Sequence, residues 1–179
     1  MPSKPRVFVF GIDGGTLDLM RPWAEAGELP NFKRFLDNGV AGDLTAAMPP
    51  ITGPSWTSFY TGVNPAKHGI YDFVRRAPGE YRMMPINASY ADGDKLWTIL
   101  SKAGKKVCVL NAPLSYPPEP VNGLFVTGMM TPPAADDYTQ PPAFKDDIGK
   151  AIPGYEIWPA EMFHPMGNEK ALVESAKWL

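Results

Sequence analysis

One cysteine and two histidines are the whole supply of thiol and imidazole in this 179-residue chain. A lone Cys108 rules out a disulfide framework, and its place in Lys106-Val107-Cys108-Val109-Leu110 predicts a buried strand residue. The sequence has no run of about 18 apolar residues, so it offers no helix to span a bilayer. The opening Met1-Pro2-Ser3-Lys4-Pro5-Arg6 lacks the apolar stretch of a signal peptide, and the expected location is cytoplasmic. Seventeen basic residues against nineteen acidic ones give a net charge of −2, which leaves no basic footprint for nucleic acid. Repeats and low-complexity tracts are missing. So are a Walker A loop and a Gly-x-Gly-x-x-Gly fingerprint in its proper context.

What is present reads as globular: 44% apolar and 20% charged residues, enough for one domain with its own core. The 21 prolines imply long ordered loops rather than disorder, because aromatic residues are plentiful. Hydrophobic periodicity predicts a strand at 6–12, helices at 17–26 and 31–38, a strand at 40–46 and a helix at 54–62. A helix at 94–103 and strands at 106–110 and 124–128 follow. Asn31 and Gly39 look like the N-cap and stop of the second helix. Residues 127–140, rich in Pro, Ala and Asp, read as a surface loop, and 168–179 as a last helix. The alternation predicts an α/β fold with a mostly parallel sheet and helices on both faces.

Two places stand out chemically. Arg6-Val7-Phe8-Val9-Phe10-Gly11-Ile12 ends in Asp13-Gly14-Gly15-Thr16, which puts a carboxylate just past a strand's carboxyl end, where open α/β sheets build their sites. Asp13 there is equally a turn former or a helix cap. The second place is Pro49-Pro50-Ile51-Thr52-Gly53-Pro54-Ser55-Trp56. Pro54 suits a first helical turn, so the Thr52 hydroxyl would stand at a helix start, where orphan N–H groups and the helix dipole favour a phosphate or an alkoxide. An ordinary capping threonine is the plainer alternative.

Gly11-Ile12-Asp13-Gly14-Gly15-Thr16 resembles the phosphate loop of sugar-kinase and actin-like ATPases, but a β-hairpin follows in those proteins. Here Leu17 to Ala26 has helical spacing, with Gly27 as a stop. The loop is also similar to that of haloacid dehalogenase-like phosphatases, whose nucleophilic Asp would fall at Gly11 and is missing.

Taken with Leu29-Pro30-Asn31-Phe32, Thr61-Gly62, His68-Gly69-Ile70 and Asn111 to Pro118, the two motifs resemble the alkaline phosphatase superfamily. The type I phosphodiesterase/nucleotide pyrophosphatase branch fits best, over about Val7 to Thr131. That resemblance implies hydrolysis of phosphate mono- or diesters with two divalent metal ions, zinc first, with manganese or magnesium as alternatives. It implies that Asp13 and Thr52 bind one metal and that Thr52 attacks phosphorus to form a phospho-threonine. Gly53 and Ser55 would contact the substrate, Ser55 standing where many relatives have Asn. Metal coordination is what would make a threonine hydroxyl nucleophilic near neutral pH. A sulfatase is disfavoured, since Thr52-Gly53-Pro54-Ser55-Trp56 stands where sulfatases carry Cys-x-Pro-x-Arg. His68 and His164 are expected to serve packing or to lie at the surface rather than to bind metal.

Donor counting complicates the enzyme reading. Zinc takes about four ligands, and Asp13 with Thr52 cannot complete even one such ion. The expectation is therefore a single alkaline phosphatase-like α/β domain over 1–179, cut short at its C-terminus, that forms the N-terminal half of a site and has little activity alone. The partner is a small phosphoester, with the oligomeric state open. A non-catalytic remnant that binds phosphate or a partner is the alternative, and an actin-like kinase a distant third.

Overall fold

The computed structural model describes residues 6–157, which fall into two compact units divided between Ala46 and Ala47. The sequence-predicted helix at 168–179 and His164 lie outside the described residues.

The first unit is built on two helices. α1 spans Leu17–Glu25, and its N-cap Thr16 accepts the Asp18 N–H at 3.3 Å. α2 spans Pro30–Asn38; Leu29 is its N-cap and Pro30 its first residue, a place where the missing N–H costs nothing. The sequence put the cap two residues later, at Asn31. Gly39 ends α2, with its N–H on the Phe35 carbonyl at 2.9 Å.

Neither strand predicted in this unit forms a ladder: residues 6–12 and 40–46 are extended or irregular, without a β partner among the described residues. Val7 and Phe8 are each 88% exposed. An apolar run says what a strand would bury. It does not say what it pairs with, and a strand exists only through its neighbour's N–H and C=O groups.

The second unit begins with α3 (Thr52–Thr61) and a short α4 (Pro65–His68). A hairpin of β1 (Val74–Arg76) and β2 (Met83–Pro85) follows, paired Val74↔Pro85 and Arg76↔Met83. After a 3-10 turn at Ala88–Tyr90 comes α5 (Leu96–Lys102). β3 (Val107–Ala112), β4 (Gly123–Thr127) and β5 (Thr139–Gln140) form a three-stranded sheet in that order, and α6 (Phe144–Ala151) closes the described chain.

The fold is mixed α/β, as the sequence predicts. Its sheets are small: β3 and β4 are parallel, while β4 and β5 are antiparallel. The expected surface loop at 127–140 is only partly one. Pro132 to Ala134 are exposed, but Thr127, Thr131 and Thr139 are buried, and β5 pairs with β4.

Two clusters make the core of this unit. In one, the Tyr60 ring lies 4.8 Å from Trp97, and Trp97 meets Phe125 edge-on at 5.3 Å. Trp56, Val107, Val109, Ala112 and Val121 pack around these rings. In the other, Ile70, Ile86 and Leu114 are joined by Phe73, Tyr90, Ala91 and Met130. Burying each large ring or branched chain contributes about 2–3 kcal/mol.

Cys108 corrects the sequence reading: it lies in β3 as expected but is exposed. Strand side chains alternate, so Val107 and Val109 face the core while Cys108 and Leu110 face away from it.

Candidate active site

Thr52 is the first residue of α3, with Ile51 as the extended N-cap. The hydroxyl therefore stands at a helix start, as the sequence predicts, one position inside the cap. The first intrahelical bond runs from the Ser55 N–H to the Ile51 carbonyl at 3.1 Å. Early N–H groups of a helix lack intrahelical acceptors, and Pro54 has none to satisfy. The result is a short, positively polarised turn carrying a hydroxyl. Thr52 and Ser55, three apart, share one helix face. Both are half-buried, whereas Gly53 and Pro54 are buried.

Gly53 is held by its surroundings. A Cβ there would lie 3.2 Å from Leu114 Cδ1 and 3.4 Å from the Asp72 carbonyl oxygen. Only glycine lets the chain come this close without displacing them. Leu114, just past the carboxyl end of β3, is tied to α3 a second time, because its carbonyl accepts the Tyr60 hydroxyl at 3.2 Å. Tyr60 also meets Thr57 Oγ1 at 3.0 Å, and burial pushes its pKa up to about 12. A further polar knot ties the same strand ends: Ser115 Oγ donates to the Ala112 carbonyl at 2.6 Å and accepts the Gly128 N–H at 3.1 Å.

His68 is fully buried at the end of α4. Its Nδ1 accepts the Ile70 N–H at 3.1 Å, and its Nε2 lies 3.0 Å from Ser58 Oγ. An imidazole accepting at Nδ1 carries its proton at Nε2, so the ring is neutral, and burial holds its pKa below the usual value. Both ring nitrogens are engaged inside the protein, in keeping with a packing role. Through Ser58 the ring braces the helix that carries Thr52.

Asp13 lies in the first unit. It is exposed in the turn Ile12–Gly15, where the Gly15 N–H reaches the Ile12 carbonyl at 3.2 Å and Gly14 takes φ 66°. The helix α1 that follows is what the kinase loop does not allow, since that loop requires a hairpin there.

Carboxylate and hydroxyl oxygens are donors of the right type for a divalent ion. Their number is too small: among the described residues, no three of His, Cys, Asp and Glu cluster as a metal site. The described residues thus do not complete a metal's coordination.

Three features escaped the sequence reading. Glu119 accepts hydrogen bonds from Lys95 Nζ, from Trp97 Nε1 at 2.9 Å and from Thr98 Oγ1 at 2.6 Å. Burial works to raise its pKa, but these donors outweigh it and hold the carboxyl below the usual range. The arginine-bearing hairpin β1–β2 is the second, and its Pro78-Gly79 turn was the available signal. The third is a shallow surface depression of about 610 Å³ lined by Asp136, Tyr138, Lys145, Asp146 and Lys150, which contains none of the predicted site residues.

The family model for type I phosphodiesterase/nucleotide pyrophosphatase matches residues 7–170, and the chain belongs to that family. Neither the curated proteins nor the solved structures gave a match. Among the described residues, no helix is long and apolar enough to cross a membrane.

Proposed function

We propose that this chain contributes the Thr52 half of a metal-dependent site that hydrolyses phosphate mono- or diesters. In this reading Thr52 Oγ attacks phosphorus, the bond to the leaving oxygen breaks, and the hydroxyl proton departs to solvent or to that oxygen. Water then attacks the phospho-threonine and restores the hydroxyl. Asp13 and Thr52 would supply two oxygen donors to one of two divalent ions, zinc or else manganese or magnesium. Bound there, the ion would lower the hydroxyl's pKa. Gly53 and Ser55 face the phosphoryl oxygens, the first with its N–H and the second with its hydroxyl. A mostly parallel sheet completed around β3 and β4 belongs to the same proposal.

The observation that carries this reading is Thr52 at the start of α3, fixed by the close contact of Gly53 with Leu114 and Asp72. The supporting finding is the family match. The test is to incubate the protein with zinc and an aryl phosphodiester, quench in acid, and search for phosphate on Thr52 by mass spectrometry. Phosphorylated Thr52, absent in Thr52→Ala and present in Thr52→Ser, supports the proposal. Turnover that survives Thr52→Ala refutes it.

The lack of a metal-binding cluster among the described residues favours a second reading, a non-catalytic member of the fold that binds phosphate without turnover. Phosphate binding with no modified Thr52, even in a protein that supplies the remaining metal ligands, would select it.

A further inference from the structure

The hairpin β1–β2 is a sheet of its own, and its two outer edges differ. Across the hairpin, the Ile86 N–H reaches the Phe73 carbonyl at 3.0 Å and the Ala77 N–H reaches the Arg82 carbonyl at 2.8 Å. Bonded and non-bonded pairs alternate along an antiparallel ladder, so Arg75 and Met84 form the bonded pair between these two. Val74 and Arg76 then turn their N–H and C=O groups away from β2. No third strand pairs with β1 among the described residues. The opposite edge is blunted, because Pro85 faces outward there and has no N–H to offer.

The two faces differ as well. Phe73 and Ile86 pack in the cluster of Ile70 and Leu114, Ala77 is buried, and Arg75 lies over the Tyr90 ring at 4.8 Å from its centroid. These contacts seat the hairpin on the protein. On the other face Val74, Arg76 and Met83 are exposed, and the Arg76 guanidinium lies 5.8 Å from the ring of Tyr81, itself 96% exposed. Arginine, tyrosine and methionine are enriched where proteins meet.

The charge of the hairpin sets the chemistry of what could cover it. Residues 74–85 hold three arginines and one glutamate, in a chain whose net charge is −2. Glu80 is paired with Arg82 at 3.0 Å. Among the described residues, no carboxylate forms an ion pair with Arg75 or Arg76. A guanidinium beside a free strand edge complements a carboxylate carried on an extended chain.

We propose that the outer edge of β1 docks an extended acidic segment of a partner protein, which adds to the hairpin as a third strand and sets a carboxylate against Arg76. This is independent of the reading of Thr52 given above.

The probe is an acetylated octapeptide of alternating glutamate and valine, titrated into the isotope-labelled 179-residue chain and followed by NMR. The expected result is a saturable shift of the Val74 and Arg76 amide signals. An octapeptide of alternating lysine and valine should not bind. Arg76→Ala should weaken binding about tenfold, whereas Arg82→Ala should leave it within about twofold, because Glu80 already engages that guanidinium. Val74→Pro removes an outward N–H and no bond to β2, so it should abolish binding and keep the hairpin. The glutamate peptide methylated on alternate backbone nitrogens keeps its charge but cannot complete the ladder. It should bind the unaltered protein at least about tenfold more weakly.

Binding that survives backbone methylation would overturn the proposal, since charge alone would then explain it. Equal weakening by Arg76→Ala and Arg82→Ala, or shifts confined to residues outside β1, would overturn it too. The same shifts growing with protein concentration in the absence of peptide would assign the edge to a second copy of this chain, against the proposal. Failure of the glutamate peptide to bind also defeats it.

Discussion

The hydroxyl of Tyr60 donates to the carbonyl of Leu114 at 3.2 Å, fastening the last turn of the Thr52 helix to the turn that follows β3. Tyr60→Phe keeps the ring contacts and removes this bond, leaving a buried carbonyl without it. The expected loss is about 1–2 kcal/mol in urea unfolding, with the fold retained by circular dichroism. Alkali should act through the same group. The folded pKa, about 12, lies above the unfolded one, so the folded state holds the proton longer, and stability is lost as pH rises from about 10 towards 12. Tyr60→Phe should flatten that alkaline decline.

Gly53→Ala sets a helix gain against a steric cost. Alanine favours a helix by somewhat less than 1 kcal/mol, but its Cβ would press on Leu114 and on the Asp72 carbonyl. Overpacking of a buried site costs about 1–3 kcal/mol, so a net destabilisation of about 1 kcal/mol is expected. A variant more stable than the wild type would show that Leu114 yields freely.

His68 gives an acid dependence of known sign. Its folded pKa is lowered, so the unfolded chain takes up a proton first as pH falls. The stability contributed by the neutral ring is fully present above about pH 6.5 and drains away below it. Replacing the ring in His68→Gln should lower stability at pH 7.5 and make the slope between pH 6.5 and 5 shallower. Unfolding curves at four pH values would decide, and an unchanged slope would place the titration elsewhere.

Glu119 and Lys95 are each other's remedy for burial. Glu119→Gln should cost about 3 kcal/mol, because Lys95 is left buried with its charge unmatched. The double variant Lys95→Met with Glu119→Leu should recover most of that loss, as chemical unfolding of the three variants would reveal. The carboxyl's lowered pKa adds stability that is present above about pH 4.5 and lost in stronger acid.

Helices α1, α2, α3 and α5 were legible in the sequence, the first three because their ends are marked, whereas α4 and α6 were not predicted. Thr16 caps α1, Gly39 stops α2, and Pro54 lies in the first turn of α3. The parallel pair β3 and β4 also agrees with the apolar runs at 106–110 and 124–128. Segments whose fate depends on a distant partner were not legible. Residues 6–12 and 40–46 have strand composition but no ladder, while β1, β2 and β5 pair with only two or three residues each. In β1 the run Val74-Arg75-Arg76 shows no apolar alternation at all, since cross-strand bonds rather than burial define it. The site divides in the same way. The place of Thr52 follows from local helix signals, whereas the bond from Tyr60 to Leu114 that braces its helix joins residues far apart in sequence that no periodicity brings together.

The crowding around Gly53 has a bearing on affinity. Pro54 fixes one backbone torsion, and the wall formed by Leu114 and Asp72 removes most of the remaining freedom of the turn. The entropy of ordering that segment is lost when the chain folds, so a phosphate bound there, as proposed, would meet donors already in place. Such binding would carry little further ordering cost, which is the general advantage of a site set in advance.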